Sequence, residues 1–138
     1  MPISPASRSV AGLLLVLVPT VEIGGLFLLM FIRRRIPGYM DNPVRQALFR
    51  AGHAHAGVLV ILALVGLLFL DQAALPDALK PLVRVCLVAA PILVSAGFFL
   101  SVVRPSAERP NAWIAFVDVG ALSLAAGVVT LGVGLLGG

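Results

Sequence analysis

Charge is what this chain has least of. Only 12% of its 138 residues are Asp, Glu, Lys or Arg, where a soluble domain carries about 25%. Cysteine is nearly absent: Cys86 stands alone inside an apolar run, which excludes a disulfide framework or a Cys-based zinc site within one chain. Histidine is confined to His53 and His55. No Ser/His/Asp constellation, phosphate-cradling Gly-rich loop or His-Glu-x-x-His helix occurs, so soluble catalysis is not expected. Acid–base chemistry inside a membrane stays open, since His and carboxylate are both present.

Apolar side chains fill the space left. The sequence is 60% hydrophobic with mean hydropathy +1.10. A water-facing fold of this size cannot hide that much apolar surface, so the composition points to a polytopic membrane protein. Four apolar runs stand out, residues 10–32, 47–70, 82–103 and 112–136. About 20 residues at about 1.5 Å each cross a hydrocarbon core of about 30 Å. Backbone groups inside a bilayer must bond within their own segment, so the runs are expected to be helices. Short connections make consecutive helices antiparallel neighbours. The expected fold is therefore all-α, one four-transmembrane-helix antiparallel bundle over residues 1–138. The first run has no small-residue cleavage site after a short apolar core and reads as a retained helix.

The breaks carry turn chemistry. Pro37-Gly38 interrupts the first, and Asn111 is placed to cap the fourth helix. Pro19 and Pro91 lie inside the first and third runs, where each frees a carbonyl one turn earlier and is expected to kink its helix. The fourth run is rich in small residues, including Gly120, Ser123, Gly127, Gly132 and Gly134, which suit close helix packing within the chain or between copies.

The net charge is +4 and the pI about 10.7. The basic residues cluster at the ends of the runs, so they speak for topology and anionic lipid headgroups and not for nucleic acid. Arg33, Arg34, Arg35, Arg45, Arg50, Arg104 and Arg109 fall at one end; Arg8, Lys80 and Arg84 fall at the other. The positive-inside rule then predicts cytoplasmic first and third loops and both termini outside.

Glu22, His53, His55 and Asp118 are the acids and histidines that fall within the runs. Helix rise from the arginine-rich end puts His53 about 5 Å deep, His55 about 8 Å, Asp118 about 13 Å and Glu22 about 16 Å. Intramembrane acids mark ion pathways or cofactor sites and seldom face lipid. Glu22 sits in Pro19-Thr20-Val21-Glu22-Ile23-Gly24-Gly25, where the proline and two glycines open space; its alternative is a protonated acid bonded to a neighbouring helix. Asp118 has the alternative of pairing with Arg104 or Arg109. His53 and His55 point about 200° apart on a helix, so they do not chelate one metal ion together. Either each serves a different centre, or one faces inward and the other meets headgroups; two purely interfacial histidines are the third reading. Imidazole and carboxylate together suit a transition metal, with His53, His55, Glu22 and Asp118 as candidate ligands, and neutral imidazole suits haem. A proton path uses the same residue types.

At Gly52-His53-Ala54-His55-Ala56-Gly57, followed by an apolar run containing Gly66, the chain resembles small bacterial membrane proteins related to subunit I of haem–copper oxidases and nitric-oxide reductases. The segment Val21-Glu22-Ile23-Gly24-Gly25-Leu26-Phe27-Leu28-Leu29-Met30 is broadly similar too, and the resemblance spans about residues 20–70. It implies a bacterial plasma-membrane location and haem ligation by His53 or His55. A full oxidase subunit has many more helices and further histidines, so oxidase chemistry within this chain alone is excluded. Three functions are consistent with the sequence: a haem- or metal-binding membrane protein, a proton-coupled transporter or channel formed by a homo-oligomer, and an accessory subunit of a larger membrane complex.

Overall fold

The computed structural model describes residues 3–138 and is helical, without strands among the described residues. Its helices are α1 (Pro5–Arg33), α2 (Pro43–Leu70), α3 (Leu79–Ser101) and α4 (Ala115–Leu136), the last entered through a single 3-10 turn, Ala112–Ile114. Each is long and apolar enough to cross a membrane, taking that turn with α4.

α1 and α2 begin before their apolar runs do, because caps and prolines set their starts. The Ser4 hydroxyl accepts the Ser7 N–H at 3.2 Å ahead of Pro5, and Asn42 Oδ1 accepts the Arg45 N–H at 2.9 Å ahead of Pro43. A side-chain cap followed by proline satisfies or removes donors that the first turn leaves free. Pro81 falls in the first turn of α3, where its missing N–H costs nothing. Asn111 caps as expected, accepting the Trp113 N–H at 2.9 Å. The helices run continuously through Pro19 and Pro91.

Packing is tightest between α3 and α4, then between α2 and α3; α1 lies against α2 and is the least buried helix. Glycine makes the α3–α4 approach possible. A Cβ on Gly97 would stand 2.7 Å from the Val117 nitrogen, and one on Gly120 would stand 2.9 Å from the Val94 nitrogen. Gly127 faces Cys86 and Leu87, and Gly134 faces Leu75. The seven-residue spacing of Gly120, Gly127 and Gly134 keeps all three on the face that meets the rest of the chain. Ser123 Oγ reinforces that face by donating to the Cys86 carbonyl at 3.1 Å.

The two ends of the bundle differ in chemistry. At one, the first and third loops lock together. Arg45 donates to the carbonyls of Gly38, Val102 and Val103, and Asn42 donates to those of Pro105 and Ala107. Gly38, at φ +73°, lies so close to Pro105 that a Cβ there would stand 2.6 Å from the proline Cβ. Buried Tyr39 stacks with Phe31 and Phe49 beneath the first loop. At the other end the N-terminus, the second loop and the end of α4 converge. Ser4 N–H donates to Asp71 at 2.8 Å, and the Ala74 N–H donates to the Gly134 carbonyl at 2.8 Å. The main core cluster, including Leu14, Leu67, Leu70, Val83, Leu87 and Leu131, lies toward this second end.

Asp71 and Arg84 form a polar knot there, 3.9 Å apart with most of both side chains covered. Arg84 also donates to the buried Ser7 hydroxyl at 3.1 Å. Burial alone would raise the Asp71 carboxyl. Hydrogen bonds from Ser4 and Ser7, with the Arg84 guanidinium beside it, outweigh that and hold it below the usual carboxylate range.

Candidate functional site

His53 rides on the third turn of α2 and reaches across to α1, where Gly24 and Gly25 leave its ring a seat. A Cβ on Gly25 would stand 3.0 Å from His53 Nε2 and 3.1 Å from Cε1; one on Gly24 would stand 3.7 Å from Nδ1. The absence of side chains at 24 and 25 is therefore what lets the imidazole lie against α1, half-buried. Glu22 precedes that seat by less than one turn and remains exposed. Together His53 and Glu22 line a cavity of about 260 Å³ between α1 and α2, whose other walls are Val18, Val21, Gly57, Val60, Ile61 and Leu64. An imidazole and a carboxylate thus share one otherwise apolar cleft within the spanning part of the bundle.

His55 points elsewhere. Its Nδ1 lies 2.8 Å from the Ala51 carbonyl on its own helix, and its ring stacks at 5.1 Å from Phe98 of α3. A carbonyl only accepts, so Nδ1 carries the proton and, in the neutral ring, Nε2 is the free acceptor. The ring is exposed on the bundle's outer surface. The histidines take different faces, as their spacing requires, and the one that meets another helix at the acidic cavity is His53.

Asp118 is exposed in the first turn of α4. It pairs with neither Arg104 nor Arg109 among the described residues. It shares no cavity with Glu22 and His53, because α4 packs on α3 whereas Glu22 belongs to the α1–α2 pair. Of the four candidate residues, then, the fold brings two, Glu22 and His53, to one cavity. No group of three or more His, Cys, Asp or Glu side chains able to hold one metal ion occurs among the described residues. A structural zinc site takes about four protein ligands and a catalytic one about three; the two residues present fit a shared or solvent-completed site and not a closed site within one chain. The cavity also falls below the roughly 300 Å³ at which small-molecule pockets begin, so any haem held by His53 would extend past the open lip where Glu22 stands.

The sequence carries only half of the seat at Gly24–Gly25. The glycines do open space, but for His53 of the next helix. A small-residue pair one turn from an intramembrane acid, facing a histidine on the neighbouring antiparallel helix, is the signal that finds it. Arg45 carried no such signal: it reads as one more topology charge, yet it ties two loops together through three carbonyls.

No known protein family, curated protein or solved structure matches the chain.

Proposed function

We propose that this protein is a membrane-embedded subunit that supplies half of a haem or transition-metal site, with His53 as its principal ligand and Glu22 as the carboxylate beside it. The observation that carries this is the seating of the His53 ring on Gly24–Gly25 at a cavity it shares with Glu22. Imidazole is the usual protein ligand for haem iron and suits Zn, Cu and Fe equally; a carboxylate at its side completes a mixed donor set.

The exposed lip explains why the site is half of one. An acid at the centre of a spanning helix costs about 2.5–3.5 kcal/mol on insertion scales. Glu22 faces outward from the least buried helix. A second copy of the chain, or another subunit of a larger complex, laid against α1 and α2 would cover it and bring the missing ligands. The arginine-rich end, where the first and third loops meet, is assigned to the cytoplasmic side and both termini to the outside, in a bacterial plasma membrane.

Metal analysis of the protein purified in non-ionic detergent, together with its absorbance at the Soret band during haem titration, tests the reading. Bound metal or a saturable Soret shift supports it; a colourless, metal-free protein that takes up neither overturns it. The small, apolar-walled cavity also favours a second reading, in which Glu22 and His53 exchange protons in a homo-oligomeric transporter. Proteoliposomes then show a proton flux that Glu22→Gln abolishes; unchanged flux in that variant excludes it.

A further inference from the structure

A second cavity, larger than the one at His53, shares no lining residue with it. It occupies about 720 Å³ against the third loop, with Arg104, Ser106, Arg109, Asn111 and Trp113 on its walls. Neither arginine forms an ion pair among the described residues. The loop's one acid, Glu108, lines a separate depression on the side of Gly38 and Asp41, so the two faces of the loop carry opposite charge.

The loop is held in place without a ligand. The Asn111 N–H donates to the Ser101 carbonyl at 2.9 Å, and its side-chain amide donates to the Leu100 carbonyl at 3.2 Å. Arg45 and Asn42 fix the opposite side through the Val102, Val103, Pro105 and Ala107 carbonyls. A preformed cavity spares a ligand the cost of ordering a loop. Trp113 is 51% exposed, with its ring edge-on to Phe116. An amphipathic indole at a helix start is the usual marker of headgroup depth.

The geometry points to a binding site for a phosphate-bearing anion, gripped by Arg104 and Arg109. Guanidinium forks match phosphate oxygens bidentately, and Ser106 and Trp113, which bring a hydroxyl and an indole N–H donor, line the same cavity. The phosphate belongs either to an anionic lipid headgroup or to a free phosphorylated solute.

Trp113 is the sole tryptophan, so its fluorescence reports on the cavity. The full-length protein in non-ionic micelles is titrated with inorganic phosphate against chloride of equal ionic strength. In parallel, phosphatidylcholine nanodiscs receive increasing phosphatidylglycerol. A saturable change with phosphate in micelles assigns a free anion; a change with phosphatidylglycerol alone assigns the headgroup. In either arm the paired variant Arg104→Gln/Arg109→Gln binds at least about tenfold more weakly, as expected when charge-assisted hydrogen bonds are lost. Arg104→Lys/Arg109→Lys, which keeps charge but not the fork, falls in between. Arg33→Gln/Arg34→Gln removes equal charge from the same end and leaves binding unchanged. No saturable response in either arm overturns the assignment, as does equal weakening by the Arg33/Arg34 variant. Helical circular dichroism confirms that each variant is folded.

Discussion

At the scale of single residues, the site turns on a contact between an imidazole and a missing side chain. His53 Nε2 stands 3.0 Å from where a Gly25 Cβ would be, tighter than ordinary van der Waals contact. Gly25→Val, with its branched Cβ, is therefore expected to lift the ring from its seat. With only two histidines in the chain, imidazole NMR resolves the effect: the His53 resonances shift while those of His55, bonded to Ala51, stay in place. Haem or metal affinity falls about tenfold or more, in keeping with lost support of a ligating residue. Gly12→Val, at a position with nothing within 4 Å of a built Cβ, leaves both unchanged. The sequence alone determines that His53 and His55 take different faces, because a spacing of two on a helix leaves no other option. Which one turns inward depends on where α1 lies. No periodicity in α2 carries that, since α2 is apolar on nearly every side. Asp118 shows the same limit. Its depth follows from counting residues, but its face follows from the α3–α4 contact.

At the scale of elements, the pairing of α3 with α4 rests on backbone proximity. A Cβ on Gly97 or Gly120 would meet backbone nitrogen at 2.7 and 2.9 Å, and a backbone cannot swing aside as a side-chain tip can. Gly97→Leu and Gly120→Leu are each expected to destabilise the bundle by about 1–3 kcal/mol, the range for overpacking a close-packed interface. Gly132→Leu, where no atom lies within 4 Å, is expected to be near neutral. Thermal unfolding in detergent separates the three. The spans themselves were legible, because length and hydropathy decide them in a bilayer. Their true starts were legible only in part: Asn111 was expected as a cap, whereas Ser4-Pro5 and Asn42-Pro43 extend α1 and α2 beyond the apolar runs by polar chemistry that hydropathy does not register. The glycines of α4 were legible as packing residues. Their seven-residue register against Val94, Leu87 and Leu75 needed the partner surfaces.

At the scale of the whole molecule, two polar clamps close the ends of an apolar bundle, and α1 joins the rest through the second of them. Asp71 draws the N-terminus to the second loop, and its carboxyl is held below its ordinary value of 3.8. A carboxyl with a depressed folded value stabilises fully above its unfolded pKa of about 3.9 and loses that contribution as pH falls through the folded value. The wild type is therefore expected to melt above Asp71→Asn at neutral pH, with the difference shrinking as pH falls below the ordinary carboxylate range and Asp71 protonates. A gap that persists unchanged at acid pH would contradict a role for the ionised carboxylate. The opposite end is clamped by Arg45 and Asn42, which preset the arginine-lined cavity. Between the clamps, α1 leaves Glu22 and the edge of His53 uncovered, and the fold is complete as a bundle but open as a site. The direct measurement is a comparison of His53→Ala with His55→Ala, each purified and titrated, beside the wild type, with haem and with a divalent transition-metal ion. His53→Ala is expected to lose the Soret shift or the metal binding while His55→Ala keeps it. Equal loss in both variants, or loss confined to His55→Ala, contradicts a ligand role for His53.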